Sequence, residues 1–308
     1  MIPIVTIIMA TYNRSHFILE TLNSIQKQSY LNWECLIIDD GGTDNTLEVI
    51  TPILDKDSRF KFFKRTDRYK KGLPGCRNYG LDLVQGDYVI FFDDDDIVHP
   101  DNLKICLEIL DGKSLDFCHY QKKSYESRIP LIVKSEVTEQ IRLTKNSIER
   151  VVTQEIGLAS CTVMWKSYCF NKSRFNENLL YAEEWECYIR IISENFNGII
   201  IDSILYYNRK HASSNTGEFY NNINPVRKAS KNEAIILVLK NLKQKQLLTN
   251  SLIRYFITVS LGFKEYNLFN QIIKILELSL LQKLKWQFYY KSYVLRLAIY
   301  KMKKSINK

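Results

Sequence analysis

The stretch Tyr88-Val-Ile-Phe-Phe92 runs directly into Asp93-Asp-Asp-Asp96, and this junction decides how the first part of the 308-residue chain is interpreted. Five consecutive apolar or aromatic residues are typical of a strand that is buried on both faces of a parallel sheet. Four adjacent carboxylates repel one another unless a cation or protons intervene. The junction therefore predicts a buried strand that ends in a loop able to attract a cation.

The residues before this strand repeat the same alternation of strand and helix. Short apolar runs at 4–10, 33–38 and 60–63 predict three further strands. A helical pattern follows each of the first two runs, and further helices are expected from about 74 to 84 and after Pro100. Strands that alternate with helices predict an α/β fold with a mostly parallel sheet flanked by helices.

Polar side chains come directly after three of the predicted strands. Thr-Tyr-Asn-Arg at 11–14 follows the first strand, Asp39-Asp40 follows the second, and the four aspartates follow the fourth. In such sheets, ligands bind beyond the carboxyl ends of the strands. Segments that are distant in the sequence are therefore expected to meet in one crevice.

The four aspartates have two interpretations. In an extended segment alternate side chains share a face, so Asp93 and Asp95 would point one way and Asp94 and Asp96 the other. Such a D-x-D pair suits Mg²⁺ or Mn²⁺, which prefer oxygen ligands and keep open positions for substrate phosphates. The alternative is a solvated acidic loop that caps the next helix.

Four segments, in order and with fitting spacing, resemble glycosyltransferase family 2 of the GT-A fold, a likeness that covers about residues 4–211. They are Thr-Tyr-Asn-Arg at 11–14, Asp-Asp-Gly-Gly-Thr-Asp at 39–44, Arg-Asn-Tyr-Gly-Leu at 77–81 and the run from Gly86 to Asp96. The resemblance implies a nucleoside-diphosphate-sugar donor, a divalent metal ion and inversion at the anomeric carbon. Gly42 is a departure, since the family usually has Ser there.

The resemblance also places individual residues along the nucleoside of the donor. Thr11, Tyr12 and Arg14 would lie beside it. Asp40, or its neighbour Asp39, would accept a hydrogen bond from a base N–H, which suits uracil. Capping of the following helix is a simpler role for residues 11–14, and both roles can hold together.

Three further residues are assigned to the diphosphate end by the same resemblance. Arg77 would lie near the diphosphate or ribose, Asp93 would contact ribose or metal, and Asp95 would be a ligand of Mn²⁺ or Mg²⁺. A nucleotidyltransferase also needs metal-binding carboxylates, but it would usually carry a glycine-rich phosphate loop after the first strand, which is lacking here. A nicotinamide dehydrogenase is disfavoured because no G-x-G-x-x-G follows any predicted strand.

The segment Glu183-Glu184-Trp185-Glu186, with Arg190 after it, resembles the E-D-W-D-x-x-x-R segment of the family. This implies that Glu184 is the general base, although the family more often has Asp there; Glu183 and Trp185 would contact the acceptor. The alternatives are first-turn acids favoured by the helix dipole, an i,i+4 partner of Arg190 for Glu186, and a core position for Trp185. A scaffold protein that binds nucleotide sugars without catalysis is the rival function.

A basic segment near 209–211 resembles the family's Y-R-x-H-x-x-S segment, which closes over the donor. His211 would contact the leaving diphosphate or the metal, and Arg209 and Lys210 would add positive charge. A basic surface loop is the alternative.

The last part of the chain differs from the rest in charge. From residue 221 onward there are 17 Lys and Arg against three acids, a balance of +14, so the first 220 residues carry −5 of the total of +9. We therefore predict a glycosyltransferase domain at 1–220 and a basic helical region at 221–308. Trp286, Tyr290, Tyr293 and Leu297 recur at helical spacing and favour an anionic membrane surface over nucleic acid, with a plain packed helical extension as the alternative.

Cysteine use and hydropathy indicate the cellular compartment in which the protein would work. Seven cysteines, widely spaced and without C-x-x-C, indicate reduced thiols rather than disulfides or a zinc site. No apolar run is long enough for an ordinary membrane span, and the first residues do not resemble a secretory signal. We expect a cytoplasmic bacterial enzyme, peripheral at the inner face of the membrane. That it acts on a lipid-linked saccharide of an O-antigen or capsule is implied only by the family resemblance.

Overall fold

The four predicted strands form one half of the central sheet. The structure is a computed structural model that describes residues 5–111, 113–126, 128–210, 225–262 and 265–306. In it the strands lie side by side, all parallel, in the order β3-β2-β1-β4. Their bounds are Val5–Thr11 for β1, Trp33–Asp39 for β2, Phe60–Lys64 for β3 and Tyr88–Phe92 for β4. The predictions at these positions are confirmed.

Helices connect these strands and cover the sheet, as predicted. They are α1 (Ile18–Gln26), α2 (Thr46–Lys56), α3 (Leu73–Leu83) and α4 (Asn102–Leu110). Ile18, Leu22 and Ile25 of α1 are spaced at i, i+4 and i+7 and are fully buried in the core. The strand order leads from β1 to β2 on one side and to β4 on the other. A crevice therefore opens beyond the carboxyl ends of β1 and β4.

The second half of the sheet mixes strand directions, and no sequence motif predicted it. The order continues β4-β8-β6-β9-β5, and β7 pairs with β9. β8 is antiparallel to both β4 and β6, whereas β6 and β9 run parallel. The bounds are Ile97–Val98 for β5, Phe117–Tyr125 for β6, Gln140–Leu143 for β7, Val163–Lys166 for β8 and Gly198–Arg209 for β9. Two helices, α5 (Ile148–Val152) and α6 (Glu183–Ser193), lie between these strands in the chain.

The chain divides into two compact units, 1–234 and 235–308. The predicted boundary at 220/221 lies outside the described residues and stays a prediction. α7 (Pro225–Gln244) begins in the first unit and ends in the second. The remaining helices are α8 (Asn250–Gly262), α9 (Tyr266–Leu276), α10 (Leu280–Lys291) and α11 (Tyr293–Ile306). Among the helices described, none has the length and apolar character that crossing a bilayer requires.

In the second unit, α10 exposes apolar residues other than those in the predicted row. Tyr290 packs inward, with its ring centroid 4.5 Å from that of Phe269. The apolar side chains that α10 exposes are instead Leu280, Leu281, Leu284 and Phe288, and Phe288 is 75% exposed. Tyr290 of the predicted row is thus partly covered by contacts within the unit, and the membrane contact of that row stays a prediction.

The seven cysteines are all buried free thiols. Their reduced state stays a prediction, since the redox poise of the compartment decides it.

Candidate active site

A cavity of about 680 Å³ opens beyond the carboxyl ends of β1 and β4. Its wall includes ten of the predicted site residues: Thr11, Tyr12, Arg14, Asp40, Arg77, Asp93, Asp95, Glu183, Glu184 and Trp185. Asp39 is not among the described residues that line it, and His211 lies outside the described part of the chain. The predicted convergence of distant segments is therefore observed, although the individual roles stay predictions.

Asn13 holds together the loops that follow β1 and β2. Its backbone is left-handed, with φ of 53°, a conformation that Asn tolerates better than most residues. Its side-chain Oδ1 accepts hydrogen bonds from the N–H groups of Thr43 at 2.7 Å and Asp44 at 3.2 Å. The neighbouring Tyr12 is 45% exposed in the cavity, and the Lys71 Nζ lies 4.6 Å from its ring centroid.

Asp40 and Asp39 both have protein partners. The Arg65 Nε donates to Asp40 Oδ1 at 2.6 Å, and the Gly72 N–H donates to Asp40 Oδ2 at 2.9 Å. Asp39 Oδ1 accepts from the Gly42 N–H at 2.9 Å and so closes the turn after β2. Of the two candidates for base recognition, only Asp40 lines the cavity.

The four aspartates form a turn, since β4 ends at Phe92. The prediction that they alternate as in an extended segment is therefore wrong. Asp94 and Asp95 face the same guanidinium, with Arg14 Nε 3.3 Å from Asp94 Oδ1 and Arg14 Nη2 3.6 Å from Asp95 Oδ2. Asp93 instead faces Arg77, whose Nη2 lies 3.7 Å from its Oδ1.

The turn holds more negative charge than the surrounding arginines neutralise. Burial raises the pKa of Asp93 to about 6 and that of Asp94 to about 7, and it also raises the pKa of Asp96. Asp94 Oδ2 is buried and has no hydrogen-bond partner among the described residues. A cation placed at this turn would relieve the repulsion.

The donor set at the turn fits a divalent metal ion. One oxygen each of Asp93 and Asp96 and the Sγ of Cys161 all lie within 4.8 Å of one another. The predicted ligand pair was Asp93 with Asp95, so the geometry adds Asp96 and a thiol as candidates. Asp96 also accepts a hydrogen bond from the Arg209 N–H at 2.7 Å, which fixes the end of the turn against β9.

Arg77 joins the acidic turn to the start of α6. It is 2% exposed, and its Nη1 lies 3.0 Å from Glu183 Oε1 and 3.7 Å from Glu184 Oε2. Its Nη2 donates to the Ser160 Oγ at 2.7 Å. The guanidinium is thus held in place from both sides of the cavity.

Glu183 and Glu184 are adjacent but differ in environment. Glu183 is buried, and its burial raises its pKa to about 7 although Arg77 acts the other way. The Glu184 side chain is 32% exposed, and its Oε2 accepts from the Ser160 N–H at 3.3 Å. Ala182, which precedes them in a left-handed conformation with φ of 63°, sets the direction of this turn. Glu184 is therefore the acid of the pair that solvent and a substrate can reach.

The structure also bears on the alternatives for Glu186 and Trp185. Glu186 forms the expected i,i+4 ion pair with Arg190, with Nε 2.5 Å from Oε1. Trp185 is only 7% exposed, which favours the core alternative, and the Lys231 Nζ lies 4.1 Å from its ring centroid.

Several cavity residues were missed in the sequence. Lys122, Cys161, Arg227 and Lys231 line the cavity from β6, from the segment before β8 and from α7. None of them belongs to a recognisable motif. Their positions in the cavity depend on the mixed half of the sheet and on where α7 begins, and local sequence patterns reveal neither.

A mostly parallel sheet with an acidic turn at its switch point, facing a reachable carboxylate at a helix start, is the arrangement expected of a GT-A type glycosyltransferase. The family model described as Glycosyl transferase family 2 matches residues 6–169, more than half of the chain. The chain belongs to this family and is a glycosyltransferase.

Similar proteins are also named as glycosyltransferases. An uncharacterized glycosyltransferase of Haemophilus influenzae is 30% identical over 226 residues, which are 68% of this chain and 89% of that protein. Another relative is the Escherichia coli UDP-Glc:alpha-D-GlcNAc-diphosphoundecaprenol beta-1,3-glucosyltransferase WfgD. It is 28% identical over 194 residues, which are 62% of this chain and 71% of WfgD. An uncharacterized Rickettsia conorii glycosyltransferase is 31% identical over 63% of this chain, which spans only 31% of that relative.

Among solved structures, Staphylococcus aureus TarS 1–349 in complex with UDP-GlcNAc aligns with a TM-score of 0.68 at 22% identity. The alignment covers 88% of this chain and 79% of TarS. This likeness shows the GT-A fold.

Proposed function

We propose that this enzyme transfers a sugar from a UDP-sugar to a saccharide acceptor, with a divalent metal ion and with inversion at the anomeric carbon. The observation that carries the proposal is the placement of the acidic turn at 93–96 and of Glu184 in one cavity, joined through Arg77. One side can hold a diphosphate through a cation, and the other can accept a proton.

The nucleoside would lie along residues 11–14. Tyr12 is exposed in the cavity and can stack on a base, while Asp40 faces the same space. The TarS structure contains UDP-GlcNAc and the E. coli relative is named for UDP-Glc, which supports uridine in the donor. Asp39 would act indirectly through the turn that it closes, and His211 stays a proposed contact of the diphosphate.

The metal ion, Mn²⁺ or Mg²⁺, would be held by Asp93 with Asp95 or Asp96. When bound, such an ion neutralises charge on the diphosphate and on the departing oxygen. Cys161 lies beside Asp93 and Asp96 and would offer a softer ligand, although burial raises the pKa of its thiol. Arg14 and Arg77 position the carboxylates of the turn.

Glu184 would act as the general base. Its carboxylate takes the proton of an acceptor hydroxyl while that oxygen forms its bond to the anomeric carbon. The bond between this carbon and the diphosphate oxygen breaks on the opposite face, and its electron pair leaves with the nucleotide. The Ser160 N–H orients the carboxylate, and the buried pair of Glu183 with Arg77 fixes the first turn of α6. An α-linked donor would thus yield a β-linked product.

The acceptor is proposed to be lipid-linked and the enzyme to be peripheral at the inner face of the bacterial membrane. The E. coli relative is named for a diphosphoundecaprenol acceptor. Leu281, Leu284 and Phe288 form an exposed apolar row on α10, with Lys285 on the same helix. Such a face suits an anionic bilayer surface. Synthesis of a surface polysaccharide, either an O-antigen or a capsule, is the proposed setting.

A donor screen tests the transfer reaction. Candidate UDP- and GDP-sugars are incubated with the full chain, with and without Mn²⁺, and release of the nucleoside diphosphate is measured. We expect one UDP-sugar to be consumed only with metal. Consumption of no sugar nucleotide under either condition would refute the proposal.

Vesicle flotation tests the membrane contact separately. Phe288→Asp should reduce binding to vesicles of phosphatidylglycerol and phosphatidylethanolamine, because it places a charge in the exposed apolar row. Leu31→Asp, at a position 67% exposed in the first unit, is the matched control and should bind like wild type. Equal binding of both variants would exclude this row as the contact.

A further inference from the structure

The wall of the cavity also contains cations that no motif predicted. They are Lys122, Arg227 and Lys231. Lys231 and Arg227 come from the first two turns of α7. The mechanism proposed above uses neither of them.

The segment just before α6 fixes the position of these two residues. The Leu180 N–H donates to the Ser230 Oγ at 2.9 Å, and Arg227 Nη1 donates to the Leu180 carbonyl at 3.0 Å. These bonds clamp the start of α7 onto the strand-to-helix connection that ends at Glu183. Lys231 is thereby held over the Trp185 ring, with Nζ 4.1 Å from the ring centroid.

Lys231 has no carboxylate within 4.0 Å among the residues that the structure describes. Its burial lowers its pKa to about 8, while the charge of Glu184 acts in the opposite direction. Placing a cation on the wall of a cavity without an ion-pair partner costs desolvation energy. An anion that enters the cavity would recover this energy.

Nearness to Glu184 indicates which substrate would bring the anion. The general base must touch the attacking hydroxyl, so the adjacent residues contact the acceptor. Lys231 contacts Trp185, the residue directly after Glu184, and its charge is close enough to act on Glu184. The donor diphosphate, in contrast, belongs at the acidic turn, on the far side of Arg77.

We propose that Lys231, with Arg227, binds a phosphate or diphosphate group carried by the acceptor. The acceptor class is then a saccharide whose anomeric carbon bears a phosphate ester, rather than a neutral glycan. This inference rests on the proposed transfer reaction and adds to it a binding subsite for the acceptor anion. Lys122 also lines the cavity and is close enough to Glu184 and to Asp93 for their charges to act on it.

Titration calorimetry with a sugar-free probe tests the subsite. Geranyl diphosphate is titrated into the full chain with Mn²⁺ and saturating UDP, so that the donor position is filled, and geraniol serves as the neutral comparison. We expect wild type to bind the diphosphate and not geraniol. Lys231→Gln should weaken diphosphate binding at least about tenfold, since hydrogen bonds to charged groups contribute about 1.5–3 kcal/mol.

Two variants and one further measurement keep the outcomes separate. Lys231→Arg should retain binding, and Lys240→Gln, at an exposed position farther along α7, should behave like wild type. UDP affinity should stay within twofold in Lys231→Gln. Equal loss of UDP and geranyl diphosphate binding would assign Lys231 to the donor and overturn the inference. Unchanged geranyl diphosphate binding in Lys231→Gln would restrict the lysine to packing on Trp185 and would also overturn it.

Failure of the transfer reaction itself would look different. In that case wild type would release no nucleoside diphosphate from any sugar nucleotide in the donor screen, whatever residue stands at 231 and whether or not geranyl diphosphate binds. The two proposals can therefore fail independently.

Discussion

The two ends of the cavity are built in different ways. The acidic end takes its side chains from loops that directly follow β1, β2 and β4, and parallel strands place such loops at one edge of the sheet. The opposite end takes Glu184 from the first turn of α6 and Lys231 from α7, which are held together by the backbone of Leu180. Topology alone creates the first end, whereas tertiary contacts create the second.

The two ends of the cavity also differ in which additional charge would stabilise them. At the turn, carboxylates outnumber the arginines that face them, and burial raises the pKa of Asp93 and Asp94. Near α6, Glu183 is already paired with Arg77, and the exposed acid is Glu184. One end is suited to gain a cation and the other to gain a proton and an anionic acceptor.

The largest effect is expected when Glu184 loses its charge. Glu184→Gln keeps the size of the side chain but removes the proton acceptor, so kcat should fall by about 10²–10⁴ while UDP affinity is unchanged. Transfer is measured at saturating donor, and UDP binding by calorimetry. Glu183→Gln is the matched variant and should affect stability more than kcat. Full activity of Glu184→Gln would contradict the assignment of the base, and no transfer by wild type would favour the non-catalytic scaffold.

Arg77 contacts carboxylates at both ends of the cavity, so its removal shows how much this connection stabilises the fold. Arg77→Met leaves Glu183 buried without its nearest cation, and we expect a loss of about 3–5 kcal/mol in the free energy of unfolding. Denaturant unfolding measures this loss. Arg150→Met, which breaks the exposed pair with Glu155, should cost about 1 kcal/mol or less. Similar losses in both variants would show that the buried connection is no stronger than a surface pair.

His119 is a buried residue of β6, and its protonation allows a test by pH. Its Nδ1 donates to the Thr162 carbonyl at 3.0 Å, and burial lowers its pKa to about 4. The unfolded chain then binds the proton more readily than the folded protein, so stability falls as the pH drops from about 6.5 towards 4. The loss attributable to His119 should reach about 3 kcal/mol. Denaturant unfolding of wild type and His119→Gln is measured at pH 7 and 4.5. The free energy of unfolding should fall more in wild type than in His119→Gln between these pH values. An equal fall in both proteins would contradict the assigned role of His119.

The smallest effect is expected at Gly42, in the turn beside the first end. An added Cβ would lie 3.0 Å from Asp39 Oδ1 and 3.1 Å from Asn13 Oδ1, so these side chains must shift slightly. Gly42→Ser should therefore change the free energy of unfolding by less than about 1 kcal/mol. A larger loss would mean that the residue usual in the family does not fit this version of the turn.

The difference between the two ends also explains what the sequence could predict. β1 to β4 were predictable because each is a short apolar run that ends in polar residues, and the convergence of 11–14, Asp40 and 93–96 follows from parallel pairing. The conformation of the acidic segment was not predictable from alternation, since the strand stops at Phe92 and a turn begins.

At the second end, sequence reasoning found Glu184 only through a family motif. Lys231 carries no motif, and its place depends on hydrogen bonds to Leu180 that no local pattern indicates. The contact of Tyr290 with Phe269 was likewise not predictable, because it depends on how the helices of that unit pack.

The most direct test of the central claim is the affinity of UDP measured by calorimetry with and without Mn²⁺, in wild type, Asp95→Ala and the exposed control Asp55→Ala. We predict that Mn²⁺ tightens UDP binding at least about tenfold in wild type and in Asp55→Ala, and that this gain is largely lost in Asp95→Ala. UDP binding that is unaffected by Mn²⁺ in wild type would contradict a metal-assisted diphosphate site at this turn, whereas a gain that persists in Asp95→Ala would contradict Asp95 as a ligand and assign the metal to Asp93 with Asp96.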